Sequence, residues 1–170
     1  MSSEKKVCTA CDNELHQTLF RTQEKSSTEE GILSDVVFVY TGNGNAPKNV
    51  VLVQLDSSVV QISKGAFSNR KQLKEVILND GLEEIGSDAF NCCSSLESIT
   101  LPSSVKKIGK KVFLGCKSLQ SITLPSTIVD VGSNAFGSCT SLREVVFNEG
   151  LQKIGDGVFK GCFELCVYGT

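Results

Sequence analysis

From residue 59 onward the apolar positions return at one interval. Phe67, Phe90, Phe113, Phe136 and Phe159 are spaced by 23 residues, and the same step links Ile62, Ile85, Ile108, Val131 and Ile154. A third column holds Leu73, Leu96, Leu119, Leu142 and Leu165. Gly86, Gly109, Gly132 and Gly155 follow the isoleucine column, and Cys93, Cys116, Cys139 and Cys162 stand three residues before the leucines. A period of this size, kept by several columns at once, predicts a solenoid in which each repeat is one turn and buries its apolar face against the next.

In the segment L-x-x-I-x-L the fourth and sixth residues point inward with period two, which predicts a short strand. Stacking one such strand per turn builds a curved parallel sheet with a spacing of about 4.8 Å. Pro102 and Pro125 end two of the strands, and Asn79-Asp80-Gly81 and Asn148-Glu149-Gly150 end others by turn chemistry. The V-x-x-I-G segment is expected to return along the opposite side as irregular chain or short strand, its glycine easing a tight bend. Upstream, Val50, Val53 and Leu55 fill the same template, and "VVFVYTG" at 36–42 reads as a further strand. Residues 31–58 are thus expected to form an amino-terminal cap and half repeat. Residues 59–170 are read as five repeats, the last incomplete, and residues 1–30 as a mostly disordered leader.

The charges fit a stacked array. Gln61, Glu84, Lys107, Asp130 and Lys153 form one column that alternates in sign from Glu84 onward, and Asp88 and Lys111 are neighbours one turn apart. Opposite charges on adjacent strands favour the correct register. Across the 170 residues, 17 basic against 19 acidic side chains give a net charge of −2, which argues against nucleic acid or an anionic membrane as partner. Residues 1–30 hold no apolar run of signal-peptide or membrane-span length, so membrane insertion is not expected. The expected location is cytoplasmic or otherwise intracellular, with the cell surface as the alternative. In a reducing compartment the eight cysteines are thiols.

The cysteine column is read as buried structural thiols, because parallel stacking lacks the tetrahedral convergence of a zinc site. Cys92 and Cys166 lie outside it and are expected to be the exposed thiols. Cys8 and Cys11 make a C-x-x-C with His16 five residues on; these three are candidate metal or redox residues, one ligand short of a zinc site. "TGNGNAPK" at 41–48 has no third glycine and no G-K-[ST], so it is a turn and not a nucleotide loop. No nucleophile–base arrangement is present in the pattern, so neither an enzyme nor a cofactor is expected.

The consensus L-x-x-I-x-L-P-x-x-V-x-x-I-G-x-x-A-F-x-x-C resembles the BspA-like, Treponema pallidum-type leucine-rich repeats, most plainly in "LEEIGSDAFNCCSSLESITLPSS" and "VKKIGKKVFLGCKSLQSITLPST". The segment "FVYTGNGNAPKNVVLVQLDSSV" looks most like protist and algal forms of that family. The resemblance implies a leucine-rich-repeat solenoid of the α/β type that works as a binding scaffold, as in bacterial surface members that attach to host or matrix proteins. It brings no catalytic residues.

On each strand the third and fifth residues face outward, giving the columns Glu75, Ser98, Ser121, Glu144 and Ile77, Thr100, Thr123, Val146. These are the candidate contacts for a protein partner of unspecified identity. In the last repeat Tyr168 falls in the isoleucine slot by simple counting. Self-association through residues 151–170 is expected, because an uncovered final turn would show apolar surface and a free strand edge. An alternative function is a redox- or metal-responsive module acting through the C-x-x-C. Another is a piece of a cell-surface adhesive repeat protein.

Overall fold

Each repeat crosses the molecule twice, in most turns as strand on both sides. A computed structural model describes residues 6–9, 20–21, 36–147 and 149–169 of the chain. The first strands are β1 (Lys6–Thr9), β2 (Phe20–Arg21), β3 (Val36–Tyr40), β4 (Leu52–Leu55), β5 (Gln61–Ile62), β6 (Glu75–Ile77) and β7 (Glu84–Ile85). They are followed by β8 (Lys107–Ile108), β9 (Ser121–Thr123), β10 (Asp130–Val131), β11 (Glu144–Phe147), β12 (Lys153–Ile154) and β13 (Cys166–Gly169). Among the described residues no helix forms; the expected return side is built from two-residue strands and turns.

The back sheet runs without a gap in the order β12-β10-β8-β7-β5. Its parallel register stacks Gln61, Glu84, Lys107, Asp130 and Lys153 in one row and Ile62, Ile85, Ile108, Val131 and Ile154 in the next, as the 23-residue spacing predicts. The glycine column explains why this side stays closed. A Cβ on Gly86, Gly109 or Gly132 would lie 2.5–2.6 Å from backbone of the preceding turn. Close approach of the chains, and not a left-handed bend, is therefore what excludes a side chain there.

The front side is interrupted. One sheet has the order β2-β1-β3-β4-β6 and a second the order β13-β11-β9, with no ladder joining residues 98–100 to either. Ile99 and Leu101 remain buried, so the rung keeps its interior anchors although the backbone ladder lapses. Two short pieces of the stretch expected as a leader are strands: β1 pairs in parallel with β3, and β2 antiparallel with β1. The β-favouring Val-Cys-Thr of β1 has the edge of β3 available to it. The rest of residues 1–35 lies outside the described residues.

A third side is made by the turns. Asp88, Lys111 and Asn134 have positive φ, as do Gly65 and Gly157 in the same column, and Asn69, Cys92 and Ser138 do so in a second column with Gly115 and Gly161. This conformation aims the N–H at the following turn: Asp88 donates to Lys110 O at 2.9 Å and Lys111 to Ser133 O at 3.0 Å. Inside, Phe67, Phe90, Phe113, Phe136 and Phe159 stack with centroids 5.1–5.6 Å apart. Rings set edge-on close both ends of the stack, Tyr40 against Phe67 at 4.9 Å and Phe147 against Phe159 at 5.8 Å.

Candidate functional site

The front face carries the outward columns. Glu75, Ile77, Ser98, Thr100, Ser121, Thr123 and Glu144 are exposed and Val146 is half-buried, while Val76, Ile99, Ile122 and Val145 between them point into the core. The alternation that predicts strands therefore also places each candidate residue on one surface. Two shallow grooves flank the interrupted rung. One, of about 280 Å³, lies between Ser98–Leu101 and Ser121–Thr123 and reaches Pro125. The other, of about 310 Å³, lies between Glu75–Leu78 and Ser98–Thr100 and is closed by Asp80 and Pro102. Asp80 and the two prolines were not among the sequence candidates; their turn positions at the strand ends were the only signal. Glu75 and Asp80 are the charged groups lining the grooves, and hydroxyls supply most of the remaining polarity.

The final strand departs from the repeat. β13 pairs with β11 as Glu144↔Cys166, Val145↔Val167 and Val146↔Tyr168, a spacing of 22 instead of 23. Val167, not Tyr168, thus occupies the isoleucine slot, and Tyr168 falls in the column of Ile77, Thr100, Thr123 and Val146. One residue fewer after Leu165 shifts the alternation by one, which exchanges the two faces of a strand.

The back face holds a groove of about 450 Å³ along Glu84, Lys107, Asp130 and Lys153, lined also by Ser87 and Ser133. Lys107 pairs with Glu84 at 3.1 Å and Lys106 with Glu83 at 2.8 Å, both in solvent, so the column neutralises itself and such pairs contribute little. Asp88 and Lys111 are neighbours one turn apart, as expected, and both occupy left-handed positions.

The thiols form a ladder. Cys93, Cys116, Cys139 and Cys162 donate S–H to the carbonyls of Phe67, Phe90, Phe113 and Phe136 of the preceding turn, at 3.0–3.2 Å. Arg70 holds the same slot in the first full repeat and its guanidinium donates to Ala46 O. Burial raises the Arg70-neighbouring Cys93 thiol to about 12 and pushes Cys116 higher still. Cys162 breaks the expectation that the whole column is buried, for it is half-buried, and Cys92 is half-buried where exposure was expected; Cys166 is exposed. A hydrogen bond with the Cys139 side chain holds Cys162 down to about 7, while the same contact and burial push Cys139 up. Cys8 lies on β1; Cys11 and His16 lie outside the described residues. Among the described residues no group of His, Cys, Asp and Glu converges as a metal site.

Parallel strands stacked turn on turn, a shared phenylalanine spine and a small-residue corner define a leucine-rich-repeat solenoid. Residues 46–166 match the BspA type leucine-rich repeat region in six copies, and the chain belongs to that family. Its structure is similar to that of a T. pallidum leucine-rich repeat protein, with 27% identity over 78% of this chain and 73% of that one and a TM-score of 0.67. A leucine-rich repeat protein from Bacteroides ovatus is 33% identical over 83% of this chain and 35% of its own, with a TM-score of 0.63. A leucine-rich cell surface protein of Faecalibacterium prausnitzii gives 27%, 74% and 34%, with a TM-score of 0.71. The chain thus spans about a third of the latter two. No curated protein sequence matches it. Among the described residues no helix is long and apolar enough to cross a membrane.

Proposed function

We propose that the chain is a non-catalytic protein-interaction scaffold that engages its partner across the front face. The pair of grooves beside residues 98–100, on a face of exposed hydroxyls and carboxylates, carries this reading. A parallel ladder offers side chains at fixed spacing, a surface suited to an extended segment or a flat partner patch. The thiol ladder supports a reducing, intracellular setting, since each S–H that fills a phenylalanine carbonyl needs a reduced cysteine. A photo-crosslinking residue placed at Thr123 should trap the partner in cells, whereas one at Asp130 on the back face should not. Equal trapping at both positions, or trapping at Asp130 alone, removes the front face as the site.

A second reading, self-association through the last turn, is favoured by its exposed apolar groups. Ile154 is 53% exposed and Phe163 85%, whereas Ile62, Ile85, Ile108 and Val131 are fully buried. Sedimentation should then show dimers that weaken in Phe163→Asp. A monomer at high concentration contradicts it.

A further inference from the structure

We propose that Cys162 and Cys139 are a peroxide-responsive thiol pair that closes into a disulfide between the last two turns. Within the cysteine column this pair joins an accessible thiol to a buried one. Cys93, Cys116 and Cys139 are fully buried, while Cys162 keeps part of its surface in solvent. The two pair members occupy the same slot one turn apart, each donating to the phenylalanine carbonyl of the turn before, Phe113 at 3.0 Å and Phe136 at 3.1 Å. Just before the pair, the Ser138 N–H donates to Lys160 O at 2.7 Å and draws the two turns together. Residues at one slot of turns joined in this way lie about 5 Å apart, within the Cα separation a disulfide spans.

The other accessible thiols stand outside this column, although Cys92 lies near Cys93 and Cys116. Cys92 faces Gly115 of the next turn, its Sγ 3.4 Å from where a Cβ would stand there. Cys166 is set opposite Glu144. The acidity of Cys162, near 7, adds a thiolate fraction at neutral pH, and the thiolate is the nucleophile.

The chemistry balances with hydrogen peroxide as oxidant. The Cys162 thiolate attacks one peroxide oxygen, the S–O bond forms as the O–O bond breaks, and the departing hydroxide takes a proton from solvent to become water. The resulting sulfenic acid is then attacked by the Cys139 sulfur. The S–S bond forms, the S–O bond breaks, and the leaving hydroxide carries off the Cys139 proton as a second water. Two electrons pass from the thiols to the peroxide. Two S–H donors are withdrawn from Phe113 O and Phe136 O, and the turn bearing exposed Ile154 and Phe163 becomes covalently tied to its neighbour.

Trypsin cuts after Lys117, Arg143 and Lys160, so Cys139 is the lone cysteine of peptide 118–143, and peptide 161–170 holds Cys162 and Cys166. The folded full chain is exposed to dilute hydrogen peroxide, blocked with N-ethylmaleimide, digested and mapped by mass spectrometry. A linked 118–143/161–170 product is expected in the wild type and in Cys166→Ser, and not in Cys162→Ser. A linked product that survives Cys162→Ser, one lost in Cys166→Ser, or none at all overturns the proposal. A measurement on the unmutated chain guards against misfolded variants: N-ethylmaleimide at neutral pH should modify Cys162 at least about 10-fold faster than Cys139. Equal rates in the folded protein also overturn it.

Discussion

The turn around Phe113 and the turn around Phe159 are written to one template and end in different environments. Ile108, Phe113, Cys116 and Leu119 have no solvent exposure, whereas Ile154 is 53% exposed and Phe159, Cys162 and Leu165 are partly exposed. The template assigns each residue its slot, but the turn on the far side supplies the burial. A second pair makes the same point for the backbone. Ser-Ile-Thr at 121–123 is strand and Ser-Ile-Thr at 98–100 is not, although both bury their isoleucine. The triplet at 121–123 forms its ladder with β11, whereas the one at 98–100 forms none with β6 or β9 on either side of it.

This contrast sets the sizes of mutational effects. Phe113→Ala should cost ~3–5 kcal/mol in denaturant titration, and Phe159→Ala roughly half that, because its ring is already partly in water. Phe67→Ala should match Phe113→Ala, since Tyr40 covers the first ring. Equal losses at Phe113 and Phe159 would break the comparison. Gly132→Ala should cost ~1–3 kcal/mol by forcing a Cβ into the backbone of Gly109 and Lys110. Gly155→Ala, whose Cβ would come within 2.3 Å of Ser133 N, should cost at least as much, and a negligible loss at both positions would contradict a tight corner. Lys111, held at φ 57°, should gain ~0.5–1 kcal/mol on replacement by glycine, seen as a raised Tm. Gly157→Lys in the same column should lose a similar amount. The finest test is alkylation against pH. The Cys162 rate should climb between about pH 6 and 8 as its thiol, held near 7, ionises, while Cys93, pushed up to about 12, stays slow throughout.

The columns of Phe, Ile, Leu and Cys were legible because a solenoid repeats its contacts at the period of its sequence. The outward residues of the front face were legible for the same reason, through strand alternation. What escaped were departures that the consensus cannot express. The missing residue after Leu165 moves Val167 and Tyr168 by one place, and only the pairing with β11 reveals it. The lapse of the ladder at 98–100 is not written in its Ser-Ile-Thr, which is the same as at 121–123. Asp88, Lys111 and Cys92 gave no hint of left-handed backbone, a conformation that glycine fills elsewhere in the same columns. Arg70 looked like an exception to the cysteine column, yet it performs the column's task with a longer donor aimed at Ala46 O.

The hydrogen bonds around each phenylalanine give the molecule a direction. Phe90 donates its N–H to Val112 O at 2.9 Å and receives the Cys116 thiol at 3.2 Å, and Phe113 is served in the same way by Ala135 and Cys139. From Phe67 to Phe136 both partners come from the turn that follows. A ribosome delivers them in that order, so each ring can be sealed as soon as the next two dozen or so residues have emerged. Closure then spans the same short stretch of chain at every step, however many turns have come before. Loop entropy and folding delay are accordingly expected to stay flat along the array instead of growing with its length.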